Sequence, residues 1–380
     1  MTSGPKLGLY VHWPYCARVC PYCDFNVFKN RQGEEPADLV RAIITDLETQ
    51  AAITGPRELA SIFLGGGTPS LMDPAWAGEI IAAAQRCWTP AVDLEVTLEA
   101  NPTDAEAARF AAFADAGVNR LSLGLQSLDD AALKFLGRNH DAATATRAAQ
   151  AATAAFPRLS IDMIYARPGQ TPAAWMQELQ AALDLGAEHV SPYQLTIEAG
   201  TAFDRAVRRG LFSPPNGELG AELFDTTQRV LEAAGFDAYE VSNHAHGEAA
   251  RSRHNLIYWQ GDDYLGAGPG AHGRITRDGV RNATHAAAKP ADYIARVADT
   301  GLGFATPELL DARETAQERL LSGLRITDGV PLADVAALEI LPERIVDLKS
   351  LGLLADDPLR LRATPAGRLV LDRLTTELAT

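Results

Sequence analysis

Near the start of this 380-residue chain, Cys16, Cys20 and Cys23 stand in the pattern C-x3-C-x2-C. Thiolates are soft ligands suited to iron–sulfur clusters, and a four-iron cubane ordinarily takes four of them. A loop with three would leave one iron of a [4Fe-4S] cluster without a protein thiolate. An open coordination position marks a metal that does chemistry rather than one that only staples a fold. The alternative reading is a zinc site made of the three thiolates and His12. Structural zinc sites more often use two separated pairs, which counts against it. The remaining cysteine, Cys87, ends a helical stretch and reads as a small buried hydrophobe.

The formal charge is −15 and the isoelectric point is near 5.0. Nucleic acids and anionic membranes need a basic footprint, so neither is expected as the main partner. The first residues lack the apolar core and cleavage site of a secretory signal, and no apolar run approaches the roughly 20 residues that span a bilayer. A cytoplasmic protein is expected, in a compartment that keeps thiols reduced.

Apolar runs recur at residues 7–12, 61–64, 94–98, 120–125, 159–165 and 190–197, with Ala-rich helical stretches such as 104–116, 142–155 and 173–185 between them. Strands alternating with helices predict an α/β fold with a parallel sheet. The runs read as continuous rather than alternating, which suits strands buried on both faces. About six βα units fall short of the eight of a closed barrel, so a partial barrel is expected, with its chemistry at the C-terminal strand ends. Those exits carry the polar motifs. They are the cysteine loop, then Gly65-Gly66-Gly67-Thr68-Pro69, then Glu99 with Asn101-Pro102, then Gln126-Ser127 with Arg138 beyond, and Asp162 inside a fifth apolar strand. A carboxylate in such a strand is costly unless paired or bound to a ligand.

Taken with Tyr10-Val-His12-x2-Tyr15-Cys16 and His254-Asn255-x2-Tyr258-Trp259, these motifs resemble the radical S-adenosylmethionine superfamily. Within it the chain is similar to the coproporphyrinogen-oxidase-like heme chaperone family, over roughly residues 7–374. The resemblance implies a partial (β/α)6 barrel. It also implies a [4Fe-4S] cluster on Cys16, Cys20 and Cys23 whose open iron is chelated by S-adenosylmethionine. One electron from the cluster would then cleave the sulfonium to a 5′-deoxyadenosyl radical. By matching motifs, cofactor contacts fall on Tyr10, Tyr22, Gly66, Gly67, Thr68, Glu99, Gln126, Arg138 and Asp162.

The oxygen-independent coproporphyrinogen III oxidase of this branch carries one more cysteine, two residues after the third, and an extension before the motif. Here that position is Phe25 and 15 residues precede Cys16. The implied function is therefore a chaperone that binds heme as cargo and passes it to acceptor proteins, with His254 as heme ligand and His244, His246 and His272 as rivals. The oxidase, or another radical enzyme, is the alternative. After the fifth strand the family usually reads Tyr-Gly-Leu-Pro-Gly-Gln. This chain has Ala166 and Arg167 in place of the glycine and leucine, and Arg167 is expected to pair with a surface acid rather than with a substrate carboxylate such as a heme propionate.

Three units are expected: 1–235 as the barrel, 236–300 as a connection carrying the His254 motif, and 301–380 as a mostly helical, winged-helix-like domain. The acidic residues of that last unit argue for packing against the barrel rather than binding DNA. A homodimer and a peripheral membrane contact stay open.

Overall fold

The computed structural model describes residues 6–29 and 36–379. Six strands run parallel and side by side in chain order: β1 (Lys6–Trp13), β2 (Glu58–Gly66), β3 (Thr89–Ala100), β4 (Arg120–Gln126), β5 (Arg158–Tyr165) and β6 (His189–Gln194). Helices such as Pro36–Thr54, Pro74–Cys87, Ala142–Ala155 and Pro172–Leu183 connect them. The stretch expected as one helix over 104–116 forms two, Asp104–Ala107 and Phe110–Asp115. Between them Arg109 donates to the carbonyl of Ser70.

The sheet continues past both sides of this set. Beyond β6 lie β7 (Asp237–Glu240) and β8 (Asn243–Ala245), with β8 antiparallel to β6. On the other side β9 (Asp263–Ala267) is a seventh strand parallel to the set, paired with β1. After it come the antiparallel β10 (His272–Arg277), β11 (Val280–His285) and β12 (Glu308–Leu310).

Both faces of the parallel strands are buried, as expected, but the runs are not continuous. They alternate, because the two faces meet different surroundings. Leu121, Leu123 and Leu125 of β4 and Leu159, Ile161 and Met163 of β5 pack in the apolar core, with Ala145, Ala149, Trp175 and Leu179 of the covering helices. Their neighbours in sequence are polar and bond to one another across the inner face. Ser122 donates to Asp162 at 2.9 Å, and Ser160 is 2.7 Å from His189 Nδ1.

One ion pair spans three strands. Arg158 of β5 reaches past β4 to Glu95 of β3, with Nη1 2.7 Å from Oε2. That reach puts both side chains on the same, interior face of the sheet. Glu95 also accepts from the backbone N–H groups of Arg253 and His254, at 3.1 and 3.0 Å. The helix Arg253–Gln260, capped by Ser252, thereby closes the lower end of the barrel. Burial alone would raise the Glu95 carboxyl, but Arg120, Arg158 and the two amides outweigh it and hold it below its ordinary value.

A second apolar core, with Leu320, Leu324, Val330, Leu348, Leu361 and Leu374, organises the C-terminal helices. Between residues 352 and 367 the chain makes a single bridge, Leu354 to Ala363, while Arg360–Leu361 pairs with Val330–Pro331. This unit bridges the two sides of the barrel. Arg325 forms an ion pair with the fully buried Glu240 of β7, and Glu318 pairs with Arg274 of β10. Between these contacts Arg325 lies over the Trp259 ring at 4.7 Å.

Replacing Glu95 with Ala should leave buried guanidinium groups and two helix amides without their acceptor, a loss of about 3–5 kcal/mol. Urea denaturation measures it, and a loss under about 1 kcal/mol would contradict this role.

Candidate functional site

The cysteine loop leaves the upper end of β1. Tyr15–Cys16 pairs with Phe28–Lys29, and the Phe28 N–H donates to Pro14 O at 2.8 Å, so the loop is closed at its base. The three thiols are free, with Cys16 buried and Cys20 and Cys23 half-buried. The glycine loop after β2 lies directly on this base: Gly67 N–H donates to Trp13 O at 2.6 Å, and Thr68 N–H to Tyr15 O at 2.9 Å. A side chain at Gly67 would place its Cβ 2.7 Å from Tyr15 O. Gly66, at φ +104°, faces the His12 ring, which a Cβ would approach to 2.5 Å.

His12 is a brace and not a zinc ligand. Its Nδ1 is 2.9 Å from the Tyr10 hydroxyl and its Nε2 is 2.9 Å from Asn26 O, on the returning arm of the cysteine loop. Among the described residues no three His, Cys, Asp or Glu side chains are gathered round a single point, and both His12 ring nitrogens are engaged within the fold. A cluster makes a different demand, because it spreads three thiolates over three irons.

Arg138 ties the loop to the strand ends. Its Nη1 points at Cys20 Sγ and at the Tyr22 hydroxyl, each at 3.4 Å, and its Nη2 donates to Gly124 O at 3.0 Å and to Asn101. Asn101 donates to the Thr68 hydroxyl at 3.1 Å, and that hydroxyl is 3.5 Å from Cys16 Sγ. Three unpaired thiols with N–H and O–H donors aimed at two of the sulfurs fit a cluster, whose potential such donors tune. Burial first, then the neighbouring Cys20, pushes the Cys16 thiol up. Burial takes Cys23 to about 11, so both ligands would shed a proton on metal binding.

Below this layer Glu99 and Asp162 face the barrel interior. Gly66 N–H donates to Glu99 at 3.0 Å, and Asp162 accepts from Ser122 and Ser160. Burial, then the charge of Asp162, pushes Glu99 up to about 8, and burial also raises Asp162. Two carboxyls whose charged forms burial disfavours, set in one confined space, favour an incoming cation. Gln126 sits at φ +65° beyond a register shift between Gly124 and Gln126, a bulge that re-aims the strand end. Tyr10 faces the interior between His12 and Phe63, and the Tyr22 ring lies 6.2 Å from Phe203.

Ala166 adopts φ +59°, the left-handed region natural to the glycine it replaces. Arg167 is buried and pairs with Glu178 and Ser127, so its acid lies within the protein and not on the surface.

His254 lies deeper, within ring contact of Tyr10 at 6.4 Å. It is 1% exposed, stacked on Phe63 at 5.0 Å, with Nδ1 2.8 Å from Ser61 Oγ and Nε2 3.0 Å from the Tyr258 hydroxyl. Burial pushes its pKa down to about 3. Ligation by His254 requires Tyr258 to release Nε2. Of its rivals, His244 is buried against Gln228, while His246 and His272 are exposed.

With the mouth of the barrel so arranged, the comparisons are decisive. The Radical SAM superfamily profile matches residues 10–182, and the HemN C-terminal domain profile matches 310–370. The chain is 41% identical to the mitochondrial "Radical S-adenosyl methionine domain-containing protein 1" of Bos taurus, over 99% of this chain and 90% of that protein. It is 36% identical to the "Heme chaperone HemW" of Mycobacterium tuberculosis, over 99% and 95%. The chain belongs to the radical S-adenosylmethionine superfamily, in its HemW-like family. The solved structure of Escherichia coli coproporphyrinogen III oxidase, HemN, shares the fold at TM-score 0.83 and 20% identity, over 99% of this chain and 91% of that one.

Within this radical S-adenosylmethionine fold, sequence reasoning missed the bracing residues. Asn101 stood in a motif with no role given to it, and Asn26, Ser122 and the Glu95–Arg158 pair carried no signal because their partners are distant in sequence.

Glu99 gives a sign that can be tested. Near neutral pH its carboxyl is protonated in the free protein, and an ammonium beside it would draw the proton off. Binding of S-adenosylmethionine at about pH 7 should therefore release up to about one proton in the wild type and none in Glu99→Gln. Calorimetry in two buffers of different ionisation enthalpy reads this, and equal release in both proteins would remove Glu99 from the contact set.

Proposed function

We propose that this protein is a heme chaperone that binds heme and hands it to acceptor proteins, with a [4Fe-4S] cluster and S-adenosylmethionine at the barrel mouth. The observation that carries the reading is the 36% identity to HemW along nearly the whole of both chains, against 20% to the oxidase. Phe25, which is 63% exposed, stands where the oxidase has its extra cysteine, in support of the same reading.

Cys16, Cys20 and Cys23 would hold the cluster. Bound there, it supplies an iron with an open position and an electron for a sulfonium. Thr68 and Arg138 orient and polarise two of the sulfurs, and Asn101 keeps those two donors in register. Gly66 and Gly67 bring bare backbone up to the loop, and Glu99 and Asp162 await the cationic end of S-adenosylmethionine. Tyr10, Tyr22 and Gln126 complete the walls. Three free thiols call for a reducing compartment, and we place the protein in the cytoplasm, though some relatives are named mitochondrial. No described helix is long and apolar enough to cross a membrane.

Heme titration of the anaerobically reconstituted protein, followed by visible absorbance, should saturate near one heme per chain. Unsaturable uptake, together with decarboxylation of coproporphyrinogen III, would replace this reading by the oxidase.

A further inference from the structure

The chaperone reading leaves the heme iron without an open ligand at His254, and the structure offers one elsewhere. His272 opens β10 and His285 closes β11, and the two are register partners across the strand pair. Both are exposed, and their rings stack with centroids 4.1 Å apart and planes 14° from parallel. Among the described residues neither ring nitrogen has a hydrogen-bond partner. By contrast His12, His189 and His254 have both ring nitrogens engaged within the fold.

This imidazole pair adjoins the cysteine loop. The turn from β9 to β10 crosses β1 so closely that a Cβ at Gly268 would lie 2.3 Å from His12 O. Asn26 of the cysteine loop then donates to Pro269 O at 3.0 Å and to Ala288 O at 2.8 Å. Pro269 is three residues before His272, and Ala288 three residues after His285, so one side chain ties down both strands at the imidazole-bearing end of the pair. Its neighbour Phe25 turns its ring to solvent.

Heme requires an imidazole lone pair for its iron and flat apolar surface for its macrocycle. Partial burial, then the neighbouring His285, lowers the His272 pKa, a shift in the direction that leaves a lone pair for a metal. Stacked rings cannot bind opposite faces of one porphyrin, so one serves the iron while the other holds its plane. We infer that the His272–His285 pair, tied to the cysteine loop through Asn26, is the heme-iron ligand site of this chain, resting on the chaperone reading.

The test uses the full chain, reconstituted anaerobically and titrated with hemin, as wild type, as the His272→Ala/His285→Ala double variant and as His254→Ala. The double variant should bind hemin at least about tenfold more weakly with unchanged iron and sulfide content, and His254→Ala should bind as wild type if its circular dichroism is unchanged. Wild-type binding by the double variant overturns the assignment, as does loss of binding in a correctly folded His254→Ala protein. Absence of saturable binding in the wild type overturns the chaperone reading itself, and the assignment with it.

Discussion

The mouth of this barrel depends on bare backbone at Gly66–Gly67 lying against the backbone of Trp13–Tyr15. The two hydrogen bonds of that seam, Gly67 to Trp13 and Thr68 to Tyr15, set where the cysteine loop begins relative to the glycine loop. Any side chain at Gly67 would force the loops apart. From this seam the Thr68 hydroxyl reaches Cys16, Asn101 reaches Thr68, and Arg138 reaches both Asn101 and Cys20. Thr68 and Asn101 follow different strands and Arg138 follows the helix Asp130–Phe135, so the loop is fixed from several elements at once.

Beneath the mouth, the interior is polar where an ordinary barrel would be apolar. Charged groups there are tolerable because they are paired: Glu95 with Arg158 and two helix amides, Asp162 with Ser122 and Ser160. Glu99 has only the Gly66 N–H as partner, and burial, then the charge of Asp162, raises its carboxyl. The His254 helix closes the floor, and the C-terminal unit straps both sides of the sheet over it through Arg325 and Glu318. The motif around His254 thus has a structural role in the protein itself, whatever it does with heme.

Much of this was legible in the sequence. The six parallel strands and most connecting helices fall where the apolar runs and their spacing put them, and N-cap residues such as Asp73, Asp141 and Thr171 open their helices. The strands were misread as continuous because Ser, Gly and Arg at alternate positions of β4 and β5 break the apolar runs only lightly. Those residues face a covered interior, so burial does not separate the two faces. The seventh parallel strand escaped notice because β9 follows a helix and returns to β1, a partner some 250 residues away that no local pattern marks. The cysteine spacing marked the candidate cluster loop, whereas Arg138 and Asn101 meet it only through the fold.

Electron paramagnetic resonance of the reduced, reconstituted protein tests the central claim most directly. Three thiolates leaving one iron open predict about four irons per chain and a cluster spectrum that changes when S-adenosylmethionine is added. A spectrum identical with and without S-adenosylmethionine, or a cluster that still loads when Cys16, Cys20 and Cys23 are all replaced by Ala, would contradict it.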